Sequence, residues 1–194
     1  MKKILFGLVI MAIMSIVLHS CKNKEGKIST DDQKKSKNAM QNLNEDRYEP
    51  GMDWKLAWSD EFETNTIDKN IWNFQVEEAG RFNDEWQRYE DSNDNAYIEN
   101  NCLVIKAIHE SDVHGMGQYT SARLHTANKR VLKYGKIVAR MKLPHGEGIW
   151  PAFWMLGANF SQKGWPNSGE IDIMEHIGRD PKIVYGTVHG PGYS

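Results

Sequence analysis

The chain has 194 residues, a net charge of −2 and 26% charged residues. That length fits one domain plus attachments. A near-neutral balance, without a dense basic cluster interleaved with aromatics in its C-terminal three quarters, argues against nucleic acid as the main partner. Two cysteines are too few for a disulfide-built scaffold.

Taken in chain order, Lys2-Lys3 precede an apolar run from Ile4 to Leu18. That run is shorter than the ~20 apolar residues of a spanning helix and reads as an export signal. Leu18-His19-Ser20-Cys21 resembles a bacterial lipoprotein signal, with cleavage before Cys21 and lipid on its thiol; His19 departs from the small residue usual there. A plain secretory signal with an incidental Cys21 is the other reading. Either way the mature protein leaves the cytoplasm, and the lipid reading anchors it to a bacterial membrane, on the periplasmic side or at the cell surface. Residues 21–50 are polar, mix Lys34, Lys35 and Lys37 with Asp31 and Asp32, and read as a flexible tether. The folded domain is expected over residues 51–194.

From Trp54 onward the chain reads as short strands broken by turn signals: Trp54–Phe62, Ala96–Glu99, Leu103–His109, Tyr119–His125, Tyr134–Leu143, Ile149–Leu156, Glu170–His176 and Ile183–His189. Pro144-His145-Gly146 is one such break, and a helical turn is expected only near Asp68–Trp72. The pattern is that of an all-β sandwich. Cys102 opens a strand and reads as a small core residue. His109, His114, His125, His145, His176 and His189 are scattered, so no zinc-ligand spacing and no Gly-rich phosphate loop is present.

The segment Gly169-Glu170-Ile171-Asp172-Ile173-Met174-Glu175-His176 alternates carboxylates with Ile. A strand sends alternate side chains to opposite faces. Glu170 and Asp172 therefore share one face, with Ile171 and Ile173 packed on the other. Glu175 falls out of phase unless a β-bulge adds one residue, at Ile173-Met174. Clustered acids repel one another and cost stability. An edge strand with a solvated acidic face explains the pattern without chemistry. Two carboxyl groups flanking a bond are also the equipment of glycoside hydrolysis, and a third between them can hold a proton. Trp150, Trp154 and Trp165 come just before this strand; singly each reads as core, but sugar rings stack on indoles.

The octapeptide resembles the catalytic signature of glycoside hydrolase family 16 in its bulged form. Trp58-Ser59-Asp60-Glu61-Phe62, Asn83-Asp84-Glu85-Trp86-Gln87-Arg88-Tyr89, Tyr119-Thr120-Ser121-Ala122-Arg123-Leu124 and Tyr134-Gly135-Lys136-Ile137 resemble further segments of that family, in order. Thr187-Val188-His189-Gly190-Pro191-Gly192-Tyr193-Ser194 resembles its bacterial endo-β-1,3-glucanases, the laminarinases. The resemblance implies a β-jelly roll with a concave glycan cleft. It implies Glu170 as nucleophile, Glu175 as acid/base, Asp172 as helper, and Trp150, Trp154, Trp165, Asn83, Arg123 and His189 as sugar contacts. It implies no required cofactor; some relatives carry a structural calcium on the convex side, with Glu61 a candidate to lie near it and an exposed carboxylate the equal alternative. The expected partner is a β-1,3-glucan, cleaved internally with retention in carbohydrate catabolism. Other specificities of the family, on mixed-linkage glucan or a galactan, and a non-catalytic glucan-binding protein are the alternatives. Retention requires carboxyl groups ~5–5.5 Å apart, whereas four strand steps span about 13 Å; curvature and converging side chains must close that gap.

Domains of the family continue beyond the segment matched by Thr187–Ser194, so the domain is expected to be C-terminally truncated here, with open strand edges. Exposing even ~400 Å² of core costs on the order of 10 kcal/mol, comparable with a typical folding margin, and the piece is expected to be unstable and inactive by itself. The N-terminal reading has its own test. In a bacterial host, Cys21→Ser is expected to move the protein out of the membrane fraction or leave its signal uncleaved, whereas a wild type that is soluble and correctly processed would show that Leu18–Cys21 is not a lipidation signal.

Overall fold

A computed structural model describes the backbone of residues 8–15 and all of residues 54–193. The rest of the expected signal and tether, including Cys21, lies outside the described residues. The chain divides into two compact units, residues 1–19 with 60–194 and residues 20–59. Among the described residues no helix is long and apolar enough to cross a membrane.

The regular secondary structure of the first unit is almost wholly strand. Its main sheet has six strands in the order β11 (Tyr185–His189), β10 (Glu170–Glu175), β9 (Trp150–Gly157), β1 (Leu8–Ser15), β8 (Arg123–His125) and β2 (Asn73–Phe74). The pairings within this sheet are antiparallel. A three-stranded sheet runs β3 (Gln87–Tyr89), β7 (Tyr119–Ser121), β6 (Ile108–His109), with β3 and β7 parallel. β4 (Ala96–Glu99) and β5 (Cys102–Ile105) form a hairpin. Its turn residues Asn100 and Asn101 have φ of 51° and 56°, the left-handed pair that matches a two-residue hairpin to strand twist and that Asn tolerates well. The single described helix, α1 (Phe160–Lys163), is one turn between β9 and β10.

Several expected strands are shorter or interrupted. The stretch 103–109 divides into β5 and β6, and 119–125 into β7 and β8 at the buried Ala122. Residues 68–72 make the expected turn, with the Ile71 and Trp72 amides both donating to the Asp68 carbonyl. Cys102 is only half-buried. Two expected strands are absent from the described ladders. Residues 54–62 form no strand, and Leu56 is 78% exposed. Residues 134–143 form no strand, and Tyr134, Val138 and Met141 face solvent.

The reason for the second absence lies in β1. This segment, part of the expected export signal, pairs with all of β9, from Leu8 opposite Gly157 to Ser15 opposite Trp150. Its other edge pairs with β8 through Met11, Ala12 and Ile13. An apolar, partly β-branched segment is well suited to a buried strand position. With β1 in place, neither flanking edge is open to residues 134–143.

Glycine sets how closely β9 approaches the chain leading into β10. Gly157 accepts no side chain, because a Cβ there would collide with the Ser168 carbonyl. Its amide donates to the Gly169 carbonyl at 3.1 Å, so the β9–β10 ladder begins where the acidic segment begins. The apolar centre of the site is Tyr89, Trp154 and Leu156, flanked by Phe82, Ala127 and Ala152.

Deleting residues 1–20 removes β1 and opens the facing edges of β8 and β9. Residues 134–143 alternate and reach β9 through residues 144–149, a hairpin-length connection. Amides of residues 136–142 are expected to gain hydrogen-exchange protection in the shortened chain relative to the full one. Equal exchange in the two would show that this segment does not compete for the place of β1.

Candidate active site

The ladder around β10 shows where its carboxylates go. On the β9 side Asp172 pairs with Trp154 and Met174 with the adjacent Phe153, so one residue is looped out. On the β11 side the register also shifts between Asp172 and Glu175. Ile173 is the extra residue, within the expected bulge. Glu170 and Glu175 are half-buried and Asp172 is 5% exposed. Their mutual electrostatic effects place all three acids in one neighbourhood. The opposite face differs from the expectation: Ile171 is exposed and Met174 is buried instead. On β11 Val188 is exposed too, so the described residues do not cover that face as a core would.

Each acid has its own surroundings. Glu170 pairs across the ladder with His189; burial raises its pKa, while the neighbouring Asp172 and Trp165 pull it down. Asp172 is pushed up to about 7, first by burial and then by the charges of Glu170 and Glu175. The contact between the two acids acts in opposite directions, raising Asp172 and lowering Glu170, which favours the proton on Asp172. His189 Nε2 lies 3.1 Å from Asp172 Oδ2, close enough for an ion pair but out of line for a hydrogen bond. Glu175 accepts the Trp150 indole N–H on Oε1 at 3.0 Å, and the Thr187 hydroxyl donates to Oε2 at 3.3 Å.

Arg123 supplies the nearby positive charge. It is 5% exposed, and its guanidinium lies 4.2 Å from the centre of the Phe82 ring, 4.9 Å from Trp154 and 5.8 Å from Tyr89. Burial lowers its pKa, while Tyr89, Glu85 and Glu170 pull the other way. The Tyr89 hydroxyl donates to Glu85 Oε2 at 2.6 Å, and the Gln87 amide donates to the same oxygen at 3.0 Å. Burial, followed by the Glu85 charge, raises the Tyr89 phenol.

The expected sugar contacts thus divide into two groups. Trp150 and Trp165 present 36% and 54% of their surfaces to solvent, and the Trp165 ring lies 6.1 Å from that of His189. Asn83 is exposed, has φ 49°, and its amide reaches Glu85 Oε1 at 3.5 Å. Trp154 and Arg123, by contrast, are buried and form the packed floor of the site rather than an open stacking platform. Sequence reasoning missed Thr187, Glu85 and Phe82. Thr187 was legible, since it stands two residues before His189 on an alternating strand; Phe82 carries no pattern of its own.

Glu170, Asp172 and His189 bring ligand atoms within 4.8 Å of one another, but their chemistry here is that of coupled acids. Glu61 is exposed and belongs to no three-donor group among the described residues. As a lone carboxylate it does not fit the six to eight oxygens that calcium takes. A surface hollow lined by Thr64, Thr66, Ile67, Asp68 and Lys69 includes none of the clustered acids.

Comparison with known proteins gives the family. The family model "Glycosyl hydrolases family 16" matches residues 81–194. The beta-glucanase of Rhodothermus marinus is 41% identical over 156 residues, covering 78% of this chain and 54% of that protein. Glucan endo-1,3-beta-glucosidase A1 of Niallia circulans is 40% identical over 150 residues, 71% of this chain and 22% of its own. Among solved structures, the catalytic domain of a laminarinase from Thermotoga petrophila RKU-1 superposes with a TM-score of 0.67 at 52% identity, covering 73% of this chain and 58% of that one. The chain therefore spans about half the length of the first of these relatives.

The Asp172 environment has a measurable consequence for stability. An unfolded Asp titrates near 4. Between there and about 7 the folded chain binds the extra proton, so its stability falls as pH rises through that window. Asp172→Asn removes the dependence. Its melting temperature relative to wild type is expected to rise from pH 5 to pH 8; a constant difference would contradict the burial of a protonated Asp172.

Proposed function

We propose that this chain, which belongs to glycosyl hydrolase family 16, is the part of a retaining endo-β-1,3-glucanase that carries its catalytic carboxylates. The all-β fold is of the jelly-roll class of its solved relatives. The observation that carries the proposal is the bulge at Ile173, which gathers Glu170, Asp172 and Glu175 around one site while Trp150 and Thr187 hold the last of them. The substrate class follows from the similar proteins, described as beta-glucanase, glucan endo-1,3-beta-glucosidase and laminarinase.

In this reading the ionised Glu170 attacks the anomeric carbon as Glu175 gives its proton to the departing glycosidic oxygen. The carbon–oxygen bond pair leaves with that oxygen, and a glycosyl ester forms on Glu170. Glu175, now ionised, takes a proton from water, and the hydroxide oxygen attacks the same carbon and releases Glu170. Two inversions give net retention. Asp172 keeps a proton on the Glu170 side, which limits repulsion among the acids. Trp150 and Trp165 offer the exposed rings for stacking. The lipid anchor at Cys21 would place this activity outside the cytoplasm, where polymeric glucan is met.

Stereochemistry tests the assignment. In the full-length protein, Glu170→Ala is expected to leave no measurable hydrolysis while glucan binding survives, and azide should then give a glycosyl azide of inverted configuration. Glu175→Ala should cost about 10²–10⁴-fold on laminarin, and azide should give the retained product. Near-wild-type turnover in either variant without azide would overturn the assignment.

A further inference from the structure

The hydrogen bonds around Glu175 are unequal in kind. The Trp150 indole can only donate, and it occupies Oε1 at 3.0 Å. The Thr187 hydroxyl, 3.3 Å from Oε2, can donate to a carboxylate or accept from a protonated acid. Oε1 is therefore committed as an acceptor in both protonation states, and a proton placed there would meet the indole hydrogen head-on. Oε2 is the oxygen free to change state.

The geometry points to Trp150 as a positioning residue that confines the acid's proton to Glu175 Oε2, an inference that rests on the reading of Glu175 as the acid/base. Trp150 and Glu175 sit on neighbouring strands, Trp150 at the start of β9 and Glu175 at the end of β10, where Glu175 pairs with Ala152. Without the bulge Glu175 would stand out of phase with the other acids. The bulge and the indole thus fix different things: one the side chain's face, the other which oxygen carries the proton. During glycosyl transfer the Oε2–H bond breaks and its proton passes to the glycosidic oxygen. The indole N–H stabilises the carboxylate left behind, so it contributes where charge develops. Trp150 is also 36% exposed, so its ring remains available to a sugar. One side chain then serves stacking with its face and proton placement with its edge.

Trp150→Phe separates the two, because it keeps an aromatic face and removes the donor. A substrate that needs protonation should feel the change, and one with a leaving group stable as an anion should not. For the full-length protein kcat on laminarin is expected to fall about tenfold, the size of one hydrogen bond to a charged group, with KM little changed. On dinitrophenyl β-laminaribioside kcat/KM, which reports only formation of the glycosyl ester, should change less than about twofold. An equal loss on both substrates would mark Trp150 as merely structural, and no loss on either would remove it from the reaction; both overturn the inference. If the wild type cleaves neither substrate, the proposed function fails, and the indole is then read directly. Its N–H proton resonance should shift upfield in Glu175→Ala, and an unmoved resonance would overturn the Trp150 contact itself.

Discussion

The site depends on one constraint: three carboxyl groups must share one neighbourhood although a regular strand would turn the third away. β10 meets it by looping out Ile173, so that Asp172 faces Trp154 and Met174 faces the next residue, Phe153. The register shift appears in the ladders on both sides of the strand. Placing like charges together is unfavourable, and the protein answers it mainly by protonation. Asp172, the most buried of the three, is raised to about 7 by burial and by its neighbours' charges.

The rest of the site supports that division. Arg123 holds a positive charge near Glu170 while buried, its guanidinium set against Phe82, Trp154 and Tyr89. Aromatic faces stabilise a cation at low polarity. Tyr89 is in turn fixed by Glu85, which also accepts from Gln87. Gln87 and Tyr89 alternate on β3 and so share a face, and Glu85 reaches them from the turn just before that strand. The exposed indoles of Trp150 and Trp165 and the buried one of Trp154 divide stacking from support.

The N-terminal segment shows how one position can suit two sequences. Residues 8–15 are apolar enough for a signal and for a central strand, and they lie between β8 and β9. Residues 134–143 carry an alternating strand pattern but stay outside the ladders. Period and composition describe what a segment can become. They do not rank two segments that compete for one pair of edges, because the ladder hydrogen bonds on offer are the same for both.

By itself the sequence determined the all-β class and the acidic strand with its bulge. These follow from local rules: Pro and Gly at the breaks, alternation at period two, and the one-residue excess between Asp172 and Glu175. It also carried the family, through the order of its segments. Only the tertiary structure decided which indoles face solvent and which oxygen of Glu175 is held by Trp150. It also decided that Arg123 lies beneath aromatic rings, and that β1 rather than residues 134–143 stands beside β9. Each of these depends on contacts between residues distant in sequence, where burial and competition for one edge set the outcome, and no local pattern encodes them.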